Sequence, residues 1–241
     1  MNTSTPTEPP LSRRPLEVRK TRWAGRFAHL LTTWNIAPNT ISVAGIGFSV
    51  LAALALILGG QSEMLSLQIA CLLLAALGIQ CRLLCNLFDG MVAVEGGKST
   101  RSGELFNEIP DRFSDALSLA GAGYYVSAMP WVVDVGWLAA ALAIITAYVR
   151  ALGASTGAGQ HFEGPMAKPQ RMALLTTACV GEAIFVATSL HGWIMTWSLI
   201  IIALGSLITI FRRARNIAVI LESTPGAEAD AQAAAPRQEG E

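Results

Sequence analysis

The stretch LSLQIACLLLAALGIQCRLLCNLF, residues 65–88, carries a single charged side chain, Arg82, in 24 positions. A helix needs about 20 consecutive apolar residues to cross the hydrocarbon core of a bilayer, so this stretch reads as a membrane-spanning helix. Five further segments read the same way: residues 41–59, 110–129, 137–152, 172–190 and 193–211. Their charges lie near the segment ends, except Glu182. Composition agrees, since 52% of the chain is apolar and only 14% charged, against about 25% charged in an ordinary soluble domain. The predicted fold class is all-α: an integral membrane domain of six transmembrane helices.

Charge placement orients these helices. The 17 basic and 17 acidic residues cancel, which gives no reason to expect a nucleic-acid partner. The connections at 60–64 and 130–136 and the turn at His191 and Gly192 carry no Lys or Arg, whereas Lys98, Arg101, Lys168, Arg171, Arg212, Arg213, Arg215 and the N-terminal cluster share the other side. By the positive-inside rule both termini and the loops 89–109 and 153–171 are cytoplasmic. Residues 17–34, EVRKTRWAGRFAHLLTTW, interleave basic residues with Trp23, Phe27 and Trp34, which predicts an amphipathic helix lying in the membrane interface. Residues 1–15 and 223–241 lack apolar periodicity and are expected to be disordered, with the membrane domain between them over residues 16–215.

The four cysteines fall inside apolar stretches without a CxxC pair, and the three histidines form no zinc pattern, so neither points to metal or redox chemistry. Glu182 and Arg82 lie within spans, where an ionisable group ordinarily has a partner. An Arg82–Glu182 pair and a protonated Glu182 hydrogen-bonded to a neighbouring helix are the two readings. Gly45, Gly47, Ala52, Ala53, Gly121 and Gly123 are small enough for close helix packing.

Chemistry concentrates where the second span ends and the third begins. Arg82, Asn86 and Asp89 have i, i+4, i+7 spacing, and Asn107, Asp111 and Asp115 repeat every four residues, so each set shares one helix face. If the faces meet, oxygen-bearing side chains converge at the cytoplasmic surface. Clustered carboxylates at membrane depth need compensation, and a hard divalent cation supplies it, because Mg²⁺ takes carboxylate and amide oxygens and completes its shell with phosphates. Gly90 and Ala93 would let a phosphate approach the backbone.

The segment resembles the signature of the CDP-alcohol phosphotransferase family, Asp-x2-Asp-Gly-x2-Ala-Arg, about eight residues, Gly-x3-Asp-x3-Asp. Here it reads Asn86-x2-Asp89-Gly90-x2-Ala93-Val94, eight residues, Gly103-x3-Asn107-x3-Asp111. The resemblance, to an Asn-substituted branch of bacterial inner-membrane members, implies an enzyme of phospholipid biosynthesis. It would move a phosphatidyl group from a CDP-alcohol such as CDP-diacylglycerol to an acceptor alcohol, releasing CMP, with Mg²⁺ or Mn²⁺ as cofactor. It implies metal ligation at Asn86, Asp89 and Asn107, with Asp111 at a ligand position and as the catalytic base; Asp115, on the same helix face, joins the expected metal ligands. Gly90, Ala93, Gly103, Lys168 and Arg171 would hold substrate phosphates. Membrane lipids would surround the domain, and a homodimer would suit the resemblance.

Two family aspartates are Asn86 and Asn107 here, and the family arginine is Val94. Each asparagine keeps a carbonyl oxygen and loses one negative charge, so the site should hold metal less tightly, or hold one ion rather than two. Glu108, Asp115 or Glu95 would restore charge, and Arg82, Arg101 or Arg112 the guanidinium. The rival readings are a family member that binds nucleotide or lipid without turnover and, third, a small transporter using Arg82, Glu182 and Asp89. A transporter predicts polar residues spread through inverted repeats, and here they gather at one helix-pair end.

Overall fold

The computed structural model describes residues 21–95 and 103–223, and they form seven α-helices. These are α1 (Arg22–Thr33), α2 (Pro38–Gln61), α3 (Leu65–Glu95), α4 (Gly103–Tyr125), α5 (Pro130–Ser155), α6 (Lys168–Phe185) and α7 (Trp193–Ser223). The residues 1–15 and 224–241, expected to be disordered, and Lys98 and Arg101 lie outside the described residues.

Four helices, α2, α3, α5 and α7, are long and apolar enough to cross a membrane. Their apolar side chains point both ways. On α2, Ala52, Ala55 and Leu56 are buried while Val50, Leu51, Leu54 and Leu58 face outward; on α7, Leu199 and Ile202 are buried while Ile201, Leu204 and Phe211 face outward. A helix apolar around its whole circumference belongs in lipid or in a large core, and an outward belt of this extent is foreign to a soluble monomer. The chain has the build of an integral membrane protein.

Inside the belt, α2 packs against α3 and α4, α3 against α6, and α5 against α4 and α7. Leu56, Leu72, Leu119, Leu175, Met195, Leu199 and Ile202 fill the centre. Small residues set the spacing: a Cβ on Gly121 of α4 would stand 2.8 Å from Ala53 Cα of α2, so glycine is what lets these two backbones meet. Gly47, grouped with the contact glycines by sequence, faces open space instead.

Helix ends depart from the apolar boundaries in a consistent way, because hydropathy marks the edge of the lipid and not the edge of the helix. α3 continues past Phe88 to Glu95 and α4 begins at Gly103, so Asp89, Gly90, Ala93 and Asn107 are helical, and of the expected 89–109 loop residues 96–102 lie outside the described residues. α5 begins at Pro130 rather than residue 137, because a proline at the first helical position has a preset φ and no N–H to leave unpaired. α6 stops at Phe185 rather than residue 190, and α7 runs through Ser223, the first residue of the expected C-terminal tail.

The α1 helix packs on α3 by one face. Ala24, Ala28 and Leu31 are buried against Leu87, Phe88, Met91 and Val92 of α3. Trp23 and Phe27 touch Phe88 at ring-centroid distances of 6.0 and 4.6 Å but remain largely exposed, as does Trp34. Ala24 and Ala28 of α1 bury against α3, while the rings of Trp23 and Phe27 rest on Phe88 at the rim of that contact.

Candidate active site

The polar faces of α3 and α4 meet. Asn86 Nδ2 donates to Asn107 Oδ1 at 2.9 Å and to Asp111 Oδ2 at 3.2 Å. Together with Ser42, Gly45, Arg82, Cys85, Asp89, Pro110 and Ser114 these three residues line a narrow pocket of about 10 Å³. Four of the five expected metal ligands, Asn86, Asp89, Asn107 and Asp111, are in that lining.

Asp89 is buried on α3, and its Oδ2 accepts a 2.7 Å hydrogen bond from Ser42 Oγ near the start of α2. Its Oδ1 is buried with no hydrogen-bond partner. A buried carboxylate oxygen left unpaired is costly, and a cation in the pocket would relieve it. Ser42 escaped sequence reading, since a serine in an apolar helix reads as a packing residue and its partner is 47 positions away.

Asp111 is gripped from both sides. Arg82 Nη2 donates to its Oδ1 at 3.2 Å and to its backbone carbonyl at 3.1 Å, while Lys168 Nζ pairs with its Oδ2 and donates to Asn86 Oδ1 at 3.0 Å. Lys168, expected at a phosphate, thus stands among the oxygen ligands. Arg82 is buried, and its Nη1 has no partner; of the two described candidates for the missing guanidinium, Arg82 and Arg112, it is the one in the pocket lining.

Asp115 lies one turn deeper and outside the pocket lining. Arg82 Nη2 donates to its Oδ1 at 2.6 Å and Arg171 Nη2 to its Oδ2 at 3.0 Å. Both of its oxygens are thus engaged by guanidinium groups, which link α4 to α3 and α6. Arg171, expected at a phosphate, spends its other amino group on Met166 O at 2.9 Å and is buried. Glu108 faces the other side of α4, where it pairs with Arg112 and, at 2.5 Å, with Arg150 of α5. Gly90 and Ala93 lie one turn beyond Asn86 and Asp89 on α3 and Gly103 opens α4, and none of the three lines the pocket.

Lys168 is held in register by the loop before α6. Met166 N–H donates to Thr209 Oγ1 at 3.1 Å, and Arg213 Nε donates to Glu163 O at 2.8 Å. Glu163 Oε1 accepts from Asn216 Nδ2 at 2.9 Å and lies 2.8 Å from His161 Nδ1. Partial burial pushes the Glu163 carboxyl up, but the bonds from Asn216 and His161 outweigh it and hold the group below the usual glutamate range.

Among the described residues no three His, Cys, Asp or Glu side chains converge as metal ligands; the donor set here is two carboxylates and two carboxamides. It suits a hard oxygen-seeking ion and carries less charge than a four-aspartate set would.

No protein-family model and no curated protein matches the chain. Solved structures do. Mycobacterium tuberculosis phosphatidylinositol phosphate synthase (PgsA1) with CDP-DAG bound superposes with a TM-score of 0.68 at 20% identity, over 86% of this chain and 97% of that one. The fold is that of phosphatidylinositol phosphate synthase. The same synthase in complex with manganese and citrate gives 0.67 at 20% identity over 85% of this chain and 91% of that one. Its apo form gives 0.65 at 22% over 84% and 97%. The likeness to the synthase fold therefore spans most of the chain.

Proposed function

We propose that this chain transfers a phosphatidyl group from a CDP-alcohol, CDP-diacylglycerol first among them, to an acceptor alcohol with release of CMP, in phospholipid synthesis. The observation that carries the reading is the convergence of Asn86, Asp89, Asn107 and Asp111 on one pocket in which Asp89 keeps an unpaired buried oxygen. The synthase fold supports it, being shared with an enzyme that has been seen with CDP-DAG and with manganese.

Asp89, Asn86, Asn107 and Asp111 would hold Mg²⁺ or Mn²⁺, which when bound neutralises charge on the donor's pyrophosphate. The acceptor hydroxyl oxygen attacks the phosphorus attached to the lipid, the bond from that phosphorus to the CMP oxygen breaks, and CMP leaves with the electron pair. Asp111 takes the hydroxyl proton on Oδ2. Arg82 keeps the carboxylate oriented by holding Oδ1 and the backbone carbonyl of the same residue. Gly90, Ala93 and Gly103 give backbone room for the nucleotide.

In this reading α4 and α6 complete six spans, α1 lies in the interface with Trp23, Phe27 and Trp34 toward lipid, and residues 16–215 form the membrane domain. Both termini and the pocket face the cytoplasm of a bacterial inner membrane, and the chain pairs as a homodimer. The Asn86–Asn107 hydrogen bond favours one rival, a binder of CDP-lipid without turnover, because it joins two positions where the family signature has aspartates.

CMP release by the protein in lipid nanodiscs, supplied with CDP-diacylglycerol, Mn²⁺ or Mg²⁺ and a panel of acceptor alcohols, separates the two. Metal-dependent release abolished by Asp111→Asn is expected. CDP-lipid binding without release identifies the rival.

A further inference from the structure

Lys168 reaches into the ligand set. Its ammonium touches Asn86 Oδ1 and Asp111 Oδ2, two of the oxygens that would otherwise face a cation. Lysines near a membrane surface usually extend their heads toward water. This one turns inward, with its side chain 19% exposed, because the backbone that carries it is fixed. Met166 N–H is bound to Thr209, Arg171 binds Met166 O, and Lys168 and Pro169 open the first turn of α6.

Charge makes the same point. In the linked cluster, Asp89, Asp111 and Asp115 face Arg82, Lys168 and Arg171, three of each sign. A site that paired two divalent ions would need more negative charge than this, and Asn86 and Asn107 withhold it. Among the described residues of this cluster, Asp89 Oδ1 is the carboxylate oxygen left without a partner, at the side of the pocket where Ser42 steadies the other oxygen.

We infer that the Lys168 ammonium is a built-in cation that stands in for a second divalent ion, leaving the pocket to take a single exchangeable ion at Asp89. The inference rests on the transferase reading for the presence of that ion. Because the cluster is already neutral, the ion enters with the pyrophosphate that balances it, and Mn²⁺ alone binds weakly.

The test is Mn²⁺ binding by electron paramagnetic resonance on the protein in nanodiscs, with CDP as the pyrophosphate probe. The wild type and Lys168→Arg, which keeps the cation, bind one Mn²⁺ per chain. Lys168→Met, which keeps the stem and drops the charge, takes up a second ion or binds the first about tenfold more tightly as the repulsion is removed. Two ions or none in the wild type, or a Lys168→Met isotherm identical to it, overturns the inference. Thermal unfolding of both variants confirms that they are folded. CMP release measured alongside keeps the questions apart: turnover with two ions refutes only the built-in cation, and one ion without turnover refutes only the transferase.

Discussion

Arg82 on α3 donates to Asp115 on α4 at 2.6 Å, with both side chains 2% exposed. Arg171, from the first turn of α6, closes on the other oxygen of the same carboxylate. One carboxylate therefore ties three helices together directly beneath the pocket. Arg82 also grips Asp111, so the tie sets where the candidate base stands.

Asp115→Asn should therefore destabilise the fold more than it disturbs metal binding. Removing one member of a buried ion network leaves uncompensated charge, at a cost of about 3–5 kcal/mol. Asp89→Asn, whose Oδ1 has no partner to lose, should leave the melting temperature close to wild type and abolish Mn²⁺ binding. Thermal unfolding in detergent and Mn²⁺ titration of both variants check this. The reverse pattern would make Asp115 a metal ligand.

Ser42 should matter mainly through Asp89, its hydroxyl lying 2.7 Å from Asp89 Oδ2 against 3.3 Å from Pro38 O. Its hydroxyl is the donor to Oδ2, and a hydrogen bond to a charged group is worth about 1.5–3 kcal/mol. Ser42→Ala is expected to weaken Mn²⁺ binding and lower CMP release about tenfold or more, at 1.4 kcal/mol per decade. Ser42→Thr, which keeps the hydroxyl, recovers most of both. Equal effects from the two substitutions would point to packing instead of orientation.

Glu163 gives the loop a pH dependence of definite sign. Its carboxyl is held below the usual range, so the stability it adds is fully present above the unfolded value of about 4.3 and is lost as pH falls through the folded value. Melting curves of the wild type should drop as the medium is acidified below that value, and Glu163→Gln should flatten this part of the profile. A variant that retained the full acid sensitivity would place the responsible group elsewhere.

The reach of sequence reading follows from which contacts are local. Asn86 with Asp89, and Asn107 with Asp111, were legible because helical spacing alone puts each pair on one face. That the two faces meet at a pocket was an expectation the packing of α3 and α4 satisfies. Asp115 fits the same four-residue repeat, yet its role depends on Arg171, 56 positions away, and no local pattern encodes that. Apolar length located the four long helices but not their ends, because α3 and α7 run on past the apolar stretch as helix. Of the two readings of Glu182, the pair with Arg82 does not form, since Arg82 is committed to α4; the hydrogen bond to a neighbouring helix does, and its donors are the backbone N–H groups of Gly192 and Met195.

That contact supports a last prediction. Glu182 of α6 is fully buried, and its oxygens accept from Gly192 N–H at 3.0 Å and Met195 N–H at 2.8 Å. Both N–H groups belong to the start of α7, where the first turn has no intrahelical acceptors and the helix dipole favours a negative group. The carboxylate of one helix thus caps the next, and Gly192, at φ +79°, makes the turn between them. Glu182→Ala would orphan two buried donors at about 1–3 kcal/mol each and should lower the melting temperature markedly. Glu182→Gln keeps one carbonyl oxygen to accept and should cost roughly half as much, which separates loss of an acceptor from loss of the fold. Because the pocket lies at the opposite end of α6, CMP release per folded molecule should be the same in Glu182→Gln as in the wild type. A selective loss of turnover at unchanged stability would assign Glu182 to the reaction instead of the helix end.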